Sequence, residues 1–349
     1  MMSNENNVCD FKLKIDWKLI NLISQIDRFD SQWIAIERKE GQSLKQLKSI
    51  ATVRSIGAST RIEGSRMSDE EINVLLQEID ISKLEDRDSQ EVVGYFDTLD
   101  TISESFENIA VSENSIKNLH NILMRYSKKD GWHKGDYKIH NNAVEATFST
   151  GEKQIIFQTS EAGFVTEDAV RRLITWYNEE KEVHTLIKCA IFTYEFLSIH
   201  PFQDGNGRLS RLLSTLLLLK NGYKWIQYVS FEHEIESRKT EYYKVLRSCQ
   251  AQRPNEEVTD WVFFFLDALK NIQSQLMIKL EQSGTESQLS PREKAIITVI
   301  SNNPGSKSGD IATKLSIPNP TVKRILSELV NKGLIEKFGN GRSVNYSIK

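Results

Sequence analysis

Apolar residues recur at helical spacing along most of the chain. In residues 16–50 they stand three and four positions apart, as at Leu19, Ile23 and Ile26, which predicts an amphipathic helix. The same spacing predicts further helices over residues 68–79, 89–108, 112–126 and 166–180. Each of these stretches begins with Ser or Thr, whose side chain can accept a hydrogen bond from a free N–H group in a first helical turn. The predicted fold class is therefore mainly α.

One short stretch departs from the helical pattern. Residues 147–159 place a turn, Ser149-Thr150-Gly151-Glu152, between the segments ATF and QIIFQ, which predicts a β-hairpin. The outer edge of a hairpin offers unpaired backbone groups, to which an extended peptide can add as a strand. A surface hairpin without a partner is the alternative, and the hairpin pattern alone favours it.

A polar run divides the chain. Residues 282–288 read QSGTESQ, a composition that predicts a linker. We therefore expect an N-terminal helical region over residues 1–110, a helical core over 111–280, a linker over 281–288 and a small domain over 289–349.

The composition is that of a soluble protein, because 39% of the 349 residues are apolar and 27% are charged. The longest aliphatic-rich stretch, residues 212–219, is far shorter than the ~20 residues that a membrane-spanning helix needs. The polar first ten residues contain no secretory signal. Three cysteines, Cys9, Cys189 and Cys249, form no CxxC pair, so neither a disulfide framework nor a zinc ribbon is expected. We expect a reduced, cytoplasmic protein that has no membrane partner.

The net charge of −3 hides an asymmetry between the two ends of the chain. Residues 289–349 contain 10 Lys and Arg against 4 Asp and Glu, a net charge of +6, whereas the other 288 residues carry −9. A basic C-terminal domain on an acidic body indicates that a nucleic-acid contact would lie at that end only.

The C-terminal domain has the pattern of a winged helix. Ser290 and Glu293 form a capping box around Pro291 at the first helical position. Further helices open at Ser308 and at Asn319, and two strand-like segments, which are residues 334–338 and 344–348, flank a turn and form a wing.

The third of these helices has one apolar and one polar face. The apolar face carries Val322, Ile325, Leu326 and Leu329. The candidate DNA-contacting residues are Lys323, Arg324 and Ser327 on the opposite face and Arg342 in the wing turn. Many domains of this shape bind protein or dimerise, so both DNA and protein remain candidate partners.

Residues whose side chains could take part in catalysis or ligand binding are concentrated at positions 200–211. This segment reads HPFQDGNGRLSR and lies between two apolar stretches predicted as helices. Gly205 and Gly207 permit positive φ angles and expose successive backbone N–H groups. Together with the free N–H groups and positive dipole end of the following helix, they form a cradle suited to phosphate.

Charged side chains surround this cradle. Arg208 and Arg211 are three positions apart, so both can project near the first helical turn and bind phosphates through forked hydrogen bonds. Asp204 lies just before the cradle and suits a hard cation such as Mg²⁺, which prefers oxygen ligands. His200, whose ordinary pKa is near ~6.5, is a natural general base for a hydroxyl nucleophile.

Each feature alone has a plainer explanation. A Gly-Asn-Gly segment is usually a turn, a His before Pro is usually structural, and two Arg three positions apart usually lie on a solvated face. Their occurrence together within twelve residues favours the functional interpretation.

The segment resembles the signature of the Fic family, HPF-x-[DE]-GNGR-x-x-R, at every fixed position. Most characterised Fic enzymes transfer AMP from ATP to a protein hydroxyl and release pyrophosphate. The resemblance implies that residues 111–280 form a helical Fic catalytic core. It also implies that His200 deprotonates a Ser, Thr or Tyr of the target, and that Asp204 binds Mg²⁺ between the α- and β-phosphates of ATP. The implied ATP-binding residues of the loop are Asp204, Gly205, Asn206, Gly207, Arg208, Leu209, Ser210 and Arg211.

The resemblance extends to both sides of the loop. The predicted hairpin matches the position of the family's flap, which holds the target by strand addition, and the flap residues would be Gln154, Ile155, Ile156 and Phe157. This flap has no proline, in contrast to many relatives. Downstream, Tyr242 and Tyr243 match the adenine-side helix, where each ring could contact the purine or belong to the core. Gln250 is a weaker match to an Asn near the base.

A second signature lies upstream. Ser59 and Glu63 are four positions apart on one helical face, and Gly64 can end the helix in a left-handed conformation. On spacing alone, a helix end with a solvated Glu is the preferred interpretation. The segment also resembles the Fic inhibitory motif, [ST]-x-x-x-E-[GN], whose Glu pairs with the second Arg of the loop signature, here Arg211. Some relatives use that Glu to position a water that removes AMP.

Two hypotheses follow from these patterns. The first is an auto-inhibited protein adenylyltransferase that uses ATP and Mg²⁺ and modifies an unidentified target protein or itself. The second is a nucleotide-sensing, DNA-binding transcriptional regulator with a Fic body and little transferase activity. The intact His200 favours the first hypothesis. The resemblance further implies a homodimer, since relatives often associate through the Fic body.

Overall fold

The computed structural model describes residues 11–79, 84–147, 153–287 and 290–348. The chain divides after Met277 into two compact units. Both units are mainly helical, as the apolar spacing predicted, and each contains one two-stranded antiparallel sheet within the described residues. No described helix is both long enough and apolar enough to cross a membrane.

Five helices form the N-terminal part of the first unit. They are α1 (Trp17–Lys39), α2 (Gly41–Ile62), α3 (Asp69–Gln77), α4 (Arg87–Ser105) and α5 (Glu113–Leu123). The single helix predicted over residues 16–50 is wrong, because the chain breaks at Glu40 (φ −103°, ψ 19°) and α2 continues twelve residues beyond Ile50. Gly41, which as a Gly has a helix propensity about 1 kcal/mol poorer than Ala, is the first residue of α2 after this break.

Two buried helices form the centre of the first unit. Every residue of α7 (Thr185–Ile199) from Leu186 onward is buried, and α8 (Asn206–Lys220) is buried over most of its length. A helix that is apolar on all faces must be surrounded by other elements. The other helices that begin in this unit are α6 (Phe164–Glu179), α9 (Phe231–Ser237), α10 (Lys239–Gln250) and α11 (Thr259–Ser287).

The predicted hairpin is present but starts earlier than expected. Strand β1 (Ala143–Thr147) pairs antiparallel with β2 (Lys153–Gln158), and the register shifts between Val144 and Glu145. The sequence pattern missed the start of β1 because Ala and Glu are poor strand formers. The predicted turn residues, 149–152, lie outside the described residues.

The C-terminal unit is the winged helix that the sequence predicted. Helices α12 (Pro291–Asn302), α13 (Ser308–Leu315) and α14 (Asn319–Asn331) are followed by strands β3 (Ile335–Phe338) and β4 (Asn345–Ile348). The capping box at Ser290 is formed, with Pro291 in the first turn. The apolar face of α14 is buried in the core of this unit, as predicted, through Val322, Ile325, Leu326 and Leu329.

The predicted linker segment lies within the C-terminal unit, which starts at Ile278. Residues 282–287 belong to α11 instead of an irregular linker, while Gln288 lies outside the described residues. The run contains no proline, so nothing in it removes a helical hydrogen bond, and its polarity is compatible with an exposed helix.

Candidate functional site

The loop between α7 and α8 is a tight bend held by its own residues. His200 caps the end of α7 in a left-handed conformation (φ 55°, ψ 59°), and Gly205 (φ 79°) precedes α8. The Asn206 side chain accepts a hydrogen bond from Phe202 N–H at 2.9 Å and donates one to Phe202 O at 2.7 Å. The Phe202 ring is fully buried. The bend therefore brings the His200 imidazole and the N-terminus of α8 to one cavity.

The imidazole of His200 is set up as a neutral base. Its Nδ1 lies 3.3 Å from Leu197 O, an arrangement in which Nδ1–H donates and Nε2 is left unprotonated. Burial lowers the pKa of His200 to about 4, with a further lowering contribution from the charge of Lys138. The ring is therefore deprotonated at neutral pH, as the acceptor of a proton must be.

Fewer residues can form the phosphate cradle at the start of α8 than the sequence predicted. The first helical N–H groups have no acceptor within their own helix, whereas Leu209 N–H already donates to Gly205 O at 2.9 Å. Leu209 and Ser210 are fully buried and do not line the cavity, and Ser210 Oγ donates to Gly207 O. Of the predicted loop residues, the structure thus leaves residues 204–208 and Arg211 at the cavity.

The two arginines of the loop differ in their partners. Arg208 is 2% exposed, its Nη1 lies 3.3 Å from Glu91 Oε2, and its buried Nε has no hydrogen-bond partner among the described residues. Arg211, equally buried, donates from Nε to Ser59 Oγ at 2.8 Å and from Nη2 to Ser59 O at 3.0 Å. Arg208 therefore keeps its Nε donor without a partner, whereas the Nε and Nη2 donors of Arg211 are occupied by Ser59 and Glu63.

The end of α2 supplies a carboxylate to Arg211. Glu63, which caps the C-terminus of α2, accepts a hydrogen bond from Arg211 Nη2 at 2.8 Å. Burial opposes ionisation of Glu63, but the charge and hydrogen bond of Arg211 outweigh burial and lower the pKa of Glu63 below its ordinary value. Glu63 Oε1 also fills the space that a Cβ on Gly207 would need, and Gly64 (φ 107°) ends the helix. The carboxylate thus lies directly against the cradle.

Asp204 is the carboxylate that the site could offer to a metal ion. Its side chain is 36% exposed and lines the cavity. Burial acts to raise the pKa of Asp204, but Arg208, a backbone N–H and Arg87 lower it below the ordinary value. Among the described residues, no cluster of three or more His, Cys, Asp or Glu side chains could hold a metal ion. One carboxylate fits Mg²⁺, which commonly takes one or two protein carboxylates and completes its shell with phosphate oxygens and water.

The predicted adenine-side residues line the same cavity. Tyr242 and Tyr243 both line it, although Tyr242 is only 3% exposed and packs on Trp261 with ring centroids 5.5 Å apart. Gln250 is buried and donates to Ser198 Oγ at 3.0 Å. Val144 of β1 also lines the cavity, so the hairpin forms part of its wall.

The predicted flap residues belong to β2. Ile155 is 58% exposed, while Ile156 and Phe157 are half-buried. The backbone of Gln154 pairs with Ala146 of β1, and the side chain of Gln154 lies outside the described part of the structure.

The C-terminal unit contains a basic groove of its own. Lys307 and the start of α13, Lys323 and Ser327 of α14, and Lys337 of β3 line it. Arg324 does not reach this groove and pairs with Glu328 at 2.5 Å. The side chain of Arg342 lies outside the described part of the structure.

One contributor to the site was missed by the sequence analysis. The ring of His120 is fully buried and stacks on Phe202, with centroids 3.8 Å apart. Its Nδ1 accepts a hydrogen bond from Gly135 N–H at 2.9 Å, so Nε2 carries the proton and donates to Asp204 O at 3.0 Å. The available signal was a His on the apolar face of a predicted helix, which by itself is usually structural.

Comparisons with known proteins define the class. The model of the Fic/DOC family matches residues 110–218, and the model of winged helix-turn-helix DNA-binding domains matches residues 289–336. The chain therefore contains a Fic/DOC domain followed by a winged helix-turn-helix domain, as predicted from the loop signature and the C-terminal pattern.

Curated relatives match a short segment of the chain. A probable protein adenylyltransferase of Aquifex aeolicus is 39% identical over 59 residues, which are 17% of this chain and 18% of the relative. The protein adenylyltransferase Fic of Drosophila mojavensis is 43% identical over 56 residues, 16% of this chain and 11% of the relative. The chain thus spans less than a fifth of these relatives, and the match supports AMP transfer at the level of the family.

Solved structures match over a longer range. A Fic family protein from Desulfovibrio desulfuricans has a TM-score of 0.64 at 24% identity, over 97% of this chain and 98% of its own. A Fic domain containing signaling protein from Bacteroides thetaiotaomicron has a TM-score of 0.58 at 22% identity, over 74% and 96%. At these identities the likeness concerns the fold, and it confirms the predicted helical Fic fold.

The protonation state of His200 can be tested directly. Because burial disfavours the imidazolium, we expect the ring to stay neutral from pH 8 down to about pH 5 and to gain a proton only as the pH approaches about 4. An NMR titration of histidine-labelled protein measures this, with His200→Ala identifying the signal. A titration midpoint near the ordinary value of ~6.5 would contradict the neutral-base interpretation.

Proposed function

We propose that the protein is an auto-inhibited protein adenylyltransferase, which transfers AMP from ATP to a Ser, Thr or Tyr hydroxyl of a target protein and releases pyrophosphate. The observation that carries this proposal is the neutral imidazole of His200 beside a helix N-terminus and a buried Arg208 whose Nε has no partner. A base and an anion site that share one cavity suit the attack of a hydroxyl on a phosphate.

The imidazole acts first in this mechanism. The unprotonated Nε2 of His200 accepts the proton of the target hydroxyl, and the oxygen forms a bond to the α-phosphorus of ATP. The bond from the α-phosphorus to the oxygen that bridges to the β-phosphate breaks, and pyrophosphate leaves with the electron pair. Proton acceptance by a positioned base typically contributes 10²–10⁴-fold to a rate.

The start of α8 binds the phosphates. The backbone N–H groups of Asn206, Gly207 and Arg208 in the first turn of α8 would bind the phosphates, and the guanidinium of Arg208 would add charged donors. Asp204 would hold Mg²⁺, which supplies charge neutralisation on the phosphate oxygens. Because these donors are fixed by the bend, they need little reorganisation when negative charge develops in the transition state.

We attribute auto-inhibition to the hydrogen bonds that Arg211 already makes within the chain. Its Nε and Nη2 groups donate to Ser59 and Glu63, so these N–H groups cannot also bind the γ-phosphate. The carboxylate of Glu63 further repels the negative charge of the nucleotide at the cradle. ATP would therefore sit with its phosphates away from the productive position until Glu63 withdraws.

The hairpin would present the target. One edge of β2 pairs with β1, and the other edge can accept an extended segment as an added strand. The exposed side chain of Ile155 lies on this strand, where it can contact the added segment.

Transfer itself is tested with α-labelled ATP, Mg²⁺ and a cell extract. We expect a +AMP adduct on protein, identified by mass spectrometry, and a loss of at least 10²-fold in His200→Ala, because the base is removed. If the protein and its Glu63→Gly variant both leave all extract proteins and the chain itself unlabelled while ATP still binds, the nucleotide-sensing regulator replaces the transferase.

The inhibitory contact generates a second prediction. Glu63→Gly should raise AMP transfer roughly ten- to hundredfold, because a charged hydrogen bond worth about 1.5–3 kcal/mol no longer occupies Arg211. The matched control is Glu78→Gly, which removes an exposed glutamate that also caps a helix C-terminus but lies on α3. Equal rates of transfer in Glu63→Gly and Glu78→Gly would refute auto-inhibition.

A second function is favoured by a separate observation. Three lysines and Ser327 line the groove of the C-terminal unit, against a single acidic residue, Asp310. Together with the +6 charge of residues 289–349, this groove suits the phosphate backbone of duplex DNA. The winged helix would then direct the transferase to DNA or regulate transcription.

DNA binding can be separated from general charge effects. Lys323→Ala should weaken binding to a duplex and reduce the slope of log K against log salt by about 1, because one phosphate contact is lost. Lys294→Ala removes an exposed lysine of α12 that does not line the groove, and should leave the slope unchanged. Equal effects of the two substitutions would argue against the groove as the DNA site.

A further inference from the structure

Lys138 is a buried cation without a carboxylate partner. Lys138 is 1% exposed, and it forms no ion pair with any described Asp or Glu. Burying a charge is costly unless several polar groups satisfy it. The contacts that Lys138 makes instead therefore need an explanation.

The ammonium group joins three separate points of the chain. Lys138 Nζ donates to Asn142 Oδ1 at 2.9 Å, to Thr159 Oγ1 at 2.9 Å and to Ile199 O at 3.2 Å. Asn142 directly precedes β1, Thr159 directly follows β2, and Ile199 directly precedes His200. One atom thus connects both ends of the hairpin to the residue before the base.

Neighbouring hydrogen bonds reinforce the same connection. Asn142 Nδ2 donates to Phe202 O at 2.9 Å, and Ser160 Oγ donates to Ile199 O at 2.8 Å. The backbone N–H of Lys138 donates to Pro201 O at 2.9 Å. The base of the hairpin is therefore bound to residues 199–202 on both of its sides.

The chemistry of lysine suits this position. An ammonium carries three N–H donors and no acceptor, which matches three oxygen acceptors converging on one point. An apolar side chain of similar length would remove all three of these bonds at once and leave Ile199 O and Asn142 Oδ1 with the hydroxyls of Ser160 and Thr159 as donors.

We infer that Lys138 is a positioning residue, which fixes the β1–β2 hairpin against the end of α7 so that a target segment added to the hairpin meets His200 at a defined distance. This inference rests on the proposed transferase function for its purpose. The connection itself is a property of the fold and can be tested without any transfer.

The test uses the full chain with Glu63→Gly as the parent and compares Lys138→Met with Lys188→Met. Lys188 is a suitable control because it is also buried, lies at the other end of α7 and donates to the single carbonyl of Glu180 at 2.7 Å. Three quantities are measured: hydrogen exchange of the β1 and β2 amides, the Kd for ATP by calorimetry, and label transferred from α-labelled ATP to extract protein.

We expect the hairpin amides of Lys138→Met to exchange at least tenfold faster than in the parent, and transfer to fall at least tenfold. The Kd for ATP should stay within twofold, because the phosphate cradle is untouched. Lys188→Met should leave hairpin exchange and transfer as in the parent. Hairpin exchange that is unchanged in Lys138→Met, or raised equally in Lys188→Met, would overturn the inference.

A second pair of variants removes one acceptor and covers the outcome in which Lys138→Met does not fold. Thr159→Val deletes the hydroxyl that accepts from Lys138 and that donates to Asn142 within the same network, and Thr159→Ser retains it. We expect faster hairpin exchange in Thr159→Val and parental exchange in Thr159→Ser, and equal exchange in both would also overturn the inference. If the parent transfers no label, the proposed function fails, while the exchange data still decide the role of Lys138.

Discussion

The bend between α7 and α8 depends on one side chain, that of Asn206. Its amide hydrogen-bonds both the N–H and the carbonyl of Phe202 and so closes the loop on itself. His200 is consequently held in a left-handed conformation, which costs a non-Gly residue roughly 1–2 kcal/mol. In this conformation the imidazole of His200 and the free N–H groups of α8 line the same cavity.

The two buried guanidiniums at the cavity explain how a preformed phosphate site can exist in a stable chain. A buried charge is tolerated only when other groups satisfy it. Arg211 meets this requirement through Ser59 and Glu63, whereas Arg208 has only the longer contacts to Glu91 and Asp204, at 3.3 and 3.4 Å. Arg208 thus remains available to bind an anion, whereas the carboxylate of Glu63 hydrogen-bonds Arg211.

Sequence reasoning succeeded where the determinants are local. The bend at residues 200–208 that lines one cavity, the capping box at Ser290 and the buried face of α14 follow from spacing within a few residues. Long-range pairs were not accessible in this way: spacing alone favoured a solvated Glu63, and only the family resemblance joined it to Arg211, 148 residues away. No local pattern marks His120 as a support of Asp204, since that contact depends on how α5 packs against the bend.

The fixed position of α2 limits how Arg211 can be released. Arg61, two residues before Glu63, makes a bidentate pair with Glu236, and Lys239 donates to Ile62 O at 2.7 Å. Moving the end of α2 would break all of these bonds. Rotating the Glu63 side chain, which is 31% exposed, breaks only its bond to Nη2 and leaves Ser59 in contact with Arg211. The cheaper motion is therefore local, so inhibition can be relieved while the helix and the bend stay in place.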